Sequence, residues 1–447
     1  MSPESIAKDL ASAATRAGAP RFDVLAVASR TTGIGVRGGE LEDVESSGGV
    51  DVGLRVFLGE PGRLQQAVVS GSDVSTAALT ALAERAVAMA GAAPEDPHAG
   101  LADPARLASG GTDLELADTA ELTAAELKAR ALAVEAAALA VPGVIQAEGA
   151  SATHTRSSFR LLTSDGFSGG WESTRHSLGV SAFAERDGHM ERDYDHHGRR
   201  FLADLPSTDE IGTTAGERAV SRLGARQMGS ATLPVMFDRR VADSLLGAFL
   251  SAISGPGVAR GTSWLKTRMG ERIFPQGFHI TDDPTLPRGL GSRPFDAEGL
   301  PCEPLALIND GVLTSWLLNT ASASKLGLQS NARAHRSVGS PPGVAPTNAW
   351  IHPGAASRDQ LLSDMGEGLL VTEMFGPSLN ANTGDYSVGV SGFAVERGEA
   401  AHPVNEITVA GNLLDMFATL RAADDLVFDG SVVSPSLLIA QLTVAGA

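Results

Sequence analysis

The chain has 447 residues and a formal net charge of −18, and none of its Lys/Arg runs is longer than two residues. That excludes the basic footprint that nucleic-acid binding needs, and an aromatic content of 5% offers no base-stacking surface. Hydrophobic content of 43% with mean hydropathy of +0.02 describes a globular protein, and no apolar run reaches the roughly 18 residues of a membrane span.

The length suggests two or three domains. The single cysteine, Cys302, excludes an internal disulfide and any multi-thiolate metal site. The first residues, MSPESIAKDLASAATRAG, lack the apolar core of a secretory signal, so a cytoplasmic location is expected.

Ile6, Leu10, Ala13 and Ala17 recur at helical spacing and give a first helix. Phe22–Ser29 reads as a strand. Gly33, Gly35 and Gly38 match the spacing of a dinucleotide fingerprint, but strands and turns follow where that motif requires a helix, so a hairpin is expected. Val52–Leu58 and Gln65–Ser70 are further strands, and Ser72-Asp73 opens a second helix. Residues 94–111, rich in Pro, Gly and Asp, form a joint. Thr123 and Glu126 make a capping box for an Ala-rich helix ending at Val141-Pro142-Gly143. Strands follow at Val144–Thr155, Ser158–Ser164 and Trp171–Ala184, then a helix over Ile211–Gln227 capped by Ser207.

Gly229-Ser230 marks a boundary. Leu233–Phe237 is a strand, and Asp238 caps a helix with Val241, Leu245, Ala248, Phe249 and Ala252 on one face. Leu305–Leu317 reads as two strands about the Asn309-Asp310-Gly311 turn, and Ser357 caps a short helix closed by Gly366. Between Val371 and Asn412 lie three strands in antiparallel order with a polar, Gly-punctuated loop at one end. Asn380, Asn382, Thr383, Gly384 and Asp385 in that loop are the candidate substrate-binding residues. Ser436–Val444 is the last strand. The fold class is α+β: N-terminal α/β subdomains over residues 1–110 and 111–228, then a C-terminal domain rich in antiparallel sheet over 229–447.

A zinc-hydrolase helix needs two His on one face with a Glu beside them. No two of the ten histidines lie three, four or five apart, and none is followed by Glu. Glu191, Asp193, Asp195, His196 and His197 form the densest group of metal-binding types. Adjacent His on a strand face opposite ways, so a solvated segment with Arg counterions is the stronger reading. Cys302 has no neighbouring base and reads as a structural thiol, and the carboxylates of Asp282-Asp283-Pro284 and Asp296-x-Glu298 read as turn residues.

Longer stretches carry a resemblance. Thr281-Asp-Asp-Pro284, Gly291-Ser292 with Phe295-Asp296-x-Glu298-Gly299, Leu317-Leu-Asn-Thr with Lys325-Leu-Gly327, Thr383-Gly384-Asp385-Tyr386 with Gly389 and Gly392, and Glu406-Ile-Thr with Ala410-Gly411-Asn412 resemble the TldD/PmbA family, on its PmbA (TldE) branch. The resemblance implies a two-subunit peptidase. TldD-type members carry a His-Glu-x-x-x-His helix and a downstream Cys that hold zinc. PmbA-type members lack these ligands and pair with a TldD-type subunit to cleave small or unfolded peptides. The matching helix here, Leu245–Ile253, has no ligand, and Phe428-Asp-Gly-Ser431 has no Cys. The chain is therefore expected to hold no metal and no catalytic residue of its own, with zinc only in a TldD-type partner. The alternative is a homo-oligomeric peptide-binding scaffold. The family's label as a modulator of DNA gyrase would, for so acidic a chain, describe an indirect effect.

Overall fold

The computed structural model describes residues 2–110 and 113–446; the joint expected at 94–111 ends on Gly111, outside them. Helix α1 (Pro3–Arg16) is capped by Ser2 and leads into β1 (Arg21–Arg37) and β2 (Glu40–Leu58). The β1–β2 connection is Gly38-Gly39, both at positive φ, a two-residue hairpin turn that only glycine adopts freely. The glycine fingerprint is thus a hairpin, as its flanks require. β2 is one strand from Glu40, not two short ones, because Gly48 and Gly49 stay in register opposite Arg30 and Ser29. β3 (Leu64–Gly71), α2 (Thr76–Ala92) and the short β4 (Glu95–Asp96) follow. The cap of α2 is Ser75; Asp73 accepts the Ser75 amide instead of opening the helix itself.

Helix α3 (Ala124–Leu139) has the expected Thr123/Glu126 box. β5 (Val144–Thr163) merges two strands that the sequence separates, and β6 (Ser168–Arg186), β7 (His189–Arg199) and α4 (Thr208–Ser221) complete the first half. α4 stops short of the expected Gln227, since Gly224 at φ +81 breaks the helical path. All seven strands form one antiparallel sheet in the order β4-β3-β2-β1-β5-β6-β7. Two cores lie along it. One is built from α1, α2 and the ends of β1–β3; the other from α3, α4, β5 and β6.

The second half opens with β8 (Ala231–Phe237), and Asp238 caps α5 (Arg239–Ala252), accepting the Arg240 amide. A short α6 (Gly255–Arg260) lies where an irregular stop is expected. Next come β9 (Ile280–Asp282), β10 (Leu305–Asn309), β11 (Val312–Leu313), α7 (Thr320–Leu326), β12 (Ala334–His335), β13 (Gly343–Val344), β14 (Ala349–Ile351) and α8 (Arg358–Met365). Then β15 (Gly368–Leu379), β16 (Asp385–Glu396) and β17 (Glu399–Asn412) form the expected meander, followed by α9 (Leu413–Ala418), β18 (Arg421–Ala422), β19 (Val432–Val433) and β20 (Leu437–Ala445). The order β17-β16-β15-β8-β20-β18 closes into a barrel because β17 also pairs with β20 over Thr408–Ala410. β15 and β8 run parallel, and the other barrel pairings are antiparallel. Smaller strands form a sheet β11-β10-β9-β14-β19 beside it. One apolar core joins barrel and α5, with Phe274 stacked 4.7 Å from Phe417 and edge-on to Phe249.

Buried charge joins the halves. Asp23 of β1 accepts from Arg55 Nε at 2.8 Å and from Arg336 of the second half at 2.5 Å. Arg240 of α5 donates to Asp193 of β7 at 2.7 Å.

Candidate functional site

The polar loop Asn380–Asp385 is the turn between β15 and β16. Asn380 Oδ1 accepts the Asn382 amide at 3.0 Å, an Asx turn that lets the chain reverse. The Gly384 amide donates to Asn380 O at 2.8 Å, and Gly384 sits at φ +82 against the Trp264 ring. Thr383 Oγ1 donates to Asp385 Oδ2 at 2.7 Å, and Asn412 Nδ2 ties Thr383 O and Asp385 Oδ1, each at 3.0 Å. These bonds hold the Asp385 carboxyl below its usual range, Thr383 first and Asn412 second. The five sequence-predicted residues thus come together, and three of them are engaged mainly with one another. Asn380 and Asn382 are exposed.

Beside this loop β15 has a free edge. Among the described residues it pairs with β8 over Leu369–Val371, and the stretch toward Leu379 is bonded to β16 alone, with Phe375 exposed. An unpaired strand edge is where an extended peptide can add main-chain hydrogen bonds.

A cleft opens between the halves, about 330 Å3 in volume, walled by β7 and α4 on one side and by α5 and the loop before β19 on the other. Asp195, His196, His197, Asp243 and Asp429 line it. Asp243 lies on α5. Burial, with a lesser contribution from Asp429, pushes its carboxyl up to about 6. Asp429 pairs with Arg239 at 3.1 Å, Asp195 accepts from Arg218 at 2.8 Å, and His197 lies 3.0 Å from Asp195. Sequence reasoning missed Asp243 and Asp429. The available signal was the lone acid of α5, but its burial depends on β7, which is remote in sequence.

A catalytic zinc requires three protein ligands around one point. On α5 the inward face is Ala242, Leu245, Leu246, Phe249 and Leu250, and no three His, Cys, Asp or Glu side chains converge among the described residues. The alternating acids of β7 are instead taken by arginines: Asp193 by Arg240 and Arg222, Asp195 by Arg218, Glu191 by Arg222. The donor set present does not fit a zinc site.

The remaining candidates have structural roles. Cys302 is buried, its thiol pushed up to about 11 by burial and directed at Ala332 O. Asp282 is fully buried, paired with Arg333 and accepting the Thr347 amide. Asp296 accepts the amides of Glu298, Leu300 and Ala334, and Glu298 accepts the Thr320 amide at the start of α7. Among the described residues no helix is long and apolar enough to cross a membrane.

Three family models match in series. The PmbA/TldA metallopeptidase domain 1 covers residues 22–90, the central domain 117–223 and the C-terminal domain 230–446. The metalloprotease PmbA of Escherichia coli O157:H7 is 37% identical over 94% of this chain and 91% of its own length. A metalloprotease PmbA homolog of Haemophilus influenzae is 33% identical over 97% and 94%. Among solved structures, a Bacteroides thetaiotaomicron protein described as a candidate modulator of DNA gyrase superposes with a TM-score of 0.89 at 26% identity, covering 99% of this chain and 98% of that one. TldE from Thermococcus kodakarensis shares the fold, with a TM-score of 0.85 at 19% identity over 99% and 100% of the two chains. Fold, domain series and relatives agree: the chain belongs to the PmbA/TldD metallopeptidase family.

Proposed function

We propose that this chain is the non-zinc-binding, TldE-like subunit of a two-subunit metallopeptidase acting on small or unfolded peptides. The observation that carries this reading is the donor set of α5 and of the loop before β19, where a family peptidase would need ligands and this chain offers apolar side chains and arginine-paired acids. The zinc and the His-Glu-x-x-x-His helix then belong to a TldD-type partner, and both work in the cytoplasm. This subunit contributes binding surface. A substrate lies extended along the free edge of β15, its main chain paired there, with Asn380 and Asn382 offering side-chain amides and Thr383, Gly384 and Asp385 fixing the loop. The three units 1–110, 111–228 and 229–447 serve as two sheet-forming parts and one barrel.

The test is zinc analysis and digestion of an unfolded peptide, with the purified chain alone and mixed with its TldD-type partner. Expected are no stoichiometric zinc and no cleavage alone, then cleavage in the mixture that a chelator abolishes. Cleavage by the isolated chain after chelator treatment would refute the proposal. A stable self-dimer that captures peptide and gains nothing from the partner would replace it with a homo-oligomeric scaffold.

A further inference from the structure

The helix-covered face of the seven-stranded sheet is apolar at its two ends and polar between them. Along β1 this face presents Phe22, Val24 and Ala26 beneath α1 and α2, then Ala28, Arg30 and Thr32, then Ile34 and Val36 beside α3. The register carries the polar band across two more strands. Thr32 lies opposite His154 and His154 opposite His176; Arg30 lies opposite Arg156; Ala28 lies opposite Ser158, and Ser158 opposite Glu172. Neither helix pair covers the band. The gap is a cavity of about 350 Å3, with Pro3 of α1 on one wall and Glu121 and Leu122, ahead of α3, on the other. A strand face that must bury its side chains elsewhere has no packing reason to place charge here.

Beneath the cavity Asp118, His176 and His154 lie in series. Asp118 accepts the Leu202 and Ala120 amides, which keep it ionised against the effect of burial. His176 Nε2 lies 3.2 Å from Asp118 Oδ2 but out of line for a hydrogen bond. His176 Nδ1 and His154 Nδ1 lie 3.3 Å apart, one donating to the other. His154 lines the cavity with a side chain only 9% exposed. Burial and the Arg156 charge keep this imidazole neutral by lowering its pKa. Two cations stand next to it. Arg156 Nε is buried without a hydrogen-bond partner, 4.0 Å from Glu121, and its Nη1 is 3.5 Å from Glu172. Arg30 lines the cavity with no ion-pair partner among the described residues. The four charged side chains that line the cavity, Arg30, Arg156, Glu121 and Glu172, sum to zero, with Asp118 beneath them facing His176, so a ligand with one charge of each sign matches the lining and a simple ion leaves half of it unpaired.

We propose that this cavity binds a small zwitterion, an α-amino acid or a short peptide, with its carboxylate on Arg30 and Arg156 and its ammonium donating to His154 Nε2 and the adjacent carboxylates. The cavity volume holds one or two residues and not a folded partner. The site is separate from the β15 edge and needs no partner subunit.

The experiment uses the full chain, with calorimetry and histidine 15N NMR as readouts. The probes are alanine, alanyl-alanine, N-acetylalanine and alaninamide. Expected is saturable binding of alanine or alanyl-alanine that moves the His154 Nε2 resonance, with each blocked probe weaker by about tenfold, the loss of one charge-assisted bond. Preference for alanine identifies a free amino acid, and preference for alanyl-alanine a peptide; both support the proposal. Arg30→Gln, a change at an exposed position, should weaken every probe with a carboxylate and leave alaninamide unchanged. His154→Gln should weaken every probe with an ammonium, with circular dichroism reporting its fold. Acetate binding as tightly as alanine would reduce the site to an anion pocket and overturn the proposal. So would the absence of any movement at His154. Either failure leaves the two-subunit peptidase reading untouched, because no partner or cleavage enters the measurement.

Discussion

Replacing Asp243 by Asn should stabilise the protein at neutral pH and change nothing in acid. Burial, with Asp429 adding to it, raises this carboxyl from its ordinary 3.8 to about 6. Below about pH 3 it is protonated in both folded and unfolded chains, and its contribution to stability is then fully present. As pH rises, the unfolded chain ionises first. Stability falls until the folded carboxyl also ionises near 6, and above that the penalty is constant. The raised pKa corresponds to a ceiling of about 3 kcal/mol, and screening by solvent at the cleft mouth brings the expected gain to ~1–2 kcal/mol. Asn keeps the shape and removes the charge. Urea unfolding of Asp243→Asn and the native chain at about pH 3 and about pH 7.5 gives the two differences directly. An equal difference at both pH values would show that Asp243 is not held protonated by its surroundings, and the account of the cleft would fail.

Further outcomes follow from single contacts. Asp23→Ala leaves the Arg55 and Arg336 guanidinium groups buried without their shared acceptor, and should cost ~3–5 kcal/mol in urea unfolding. Glu135, buried on α3, accepts the Gly38 and Gly39 amides at 2.6 and 2.8 Å; Glu135→Ala should cost ~1–3 kcal/mol and raise amide exchange at both glycines, whereas Glu135→Gln keeps one acceptor and loses less. Asn412→Ala removes the tie to Thr383 and Asp385 and the cap on α9, so exchange protection across 380–385 should drop with a stability loss of ~1 kcal/mol. Cys302 should react with a maleimide at pH 8 only after unfolding, because its thiol is buried and its ionisation pushed up to about 11.

Local chemistry made much of this fold readable. The Thr123/Glu126 box, the Asp238 and Ser357 caps, Gly366 and the meander from Val371 to Asn412 each specify their own geometry within a few residues, and each is found where the residues put it. Long strands were less legible. β5 crosses Arg156–Ser158 without a break because β1 and β6 flank it on both sides, a tertiary constraint that overrides local polarity. Barrel closure was hidden for the same reason, since β17 meets β20 across a gap in sequence that no periodicity reports. The β15–β16 loop was located by its Asn, Asp and Gly content. The series Asp118, His176 and His154 was not, because its members come from three separate segments, two of them aligned by the register of β5 and β6.

The way the halves meet fixes the surface that the chain presents at their junction. The contacts at the junction include ionic ones, Asp23 with Arg336, Asp193 with Arg240, and Arg222 with both Asp193 and Glu373, beside apolar ones such as Phe295 against Phe167 and Trp171. Buried pairs add little net stability over apolar packing, but a misaligned one is costly, so they select one relative placement. Asp193 is held by two arginines from different elements, α4 and α5, and the cleft lined by Asp195, His197 and Asp243 lies directly beside it. The acids that suggested a metal site are therefore what fixes the two walls of the cleft. Removing Arg240 should open it: Arg240→Ala leaves Asp193 with Arg222 alone, and limited proteolysis at the junction should speed up while each half keeps its circular dichroism. Unchanged proteolysis would show that the apolar contacts already fix the placement, and that the alternating charges of β7 have some other use.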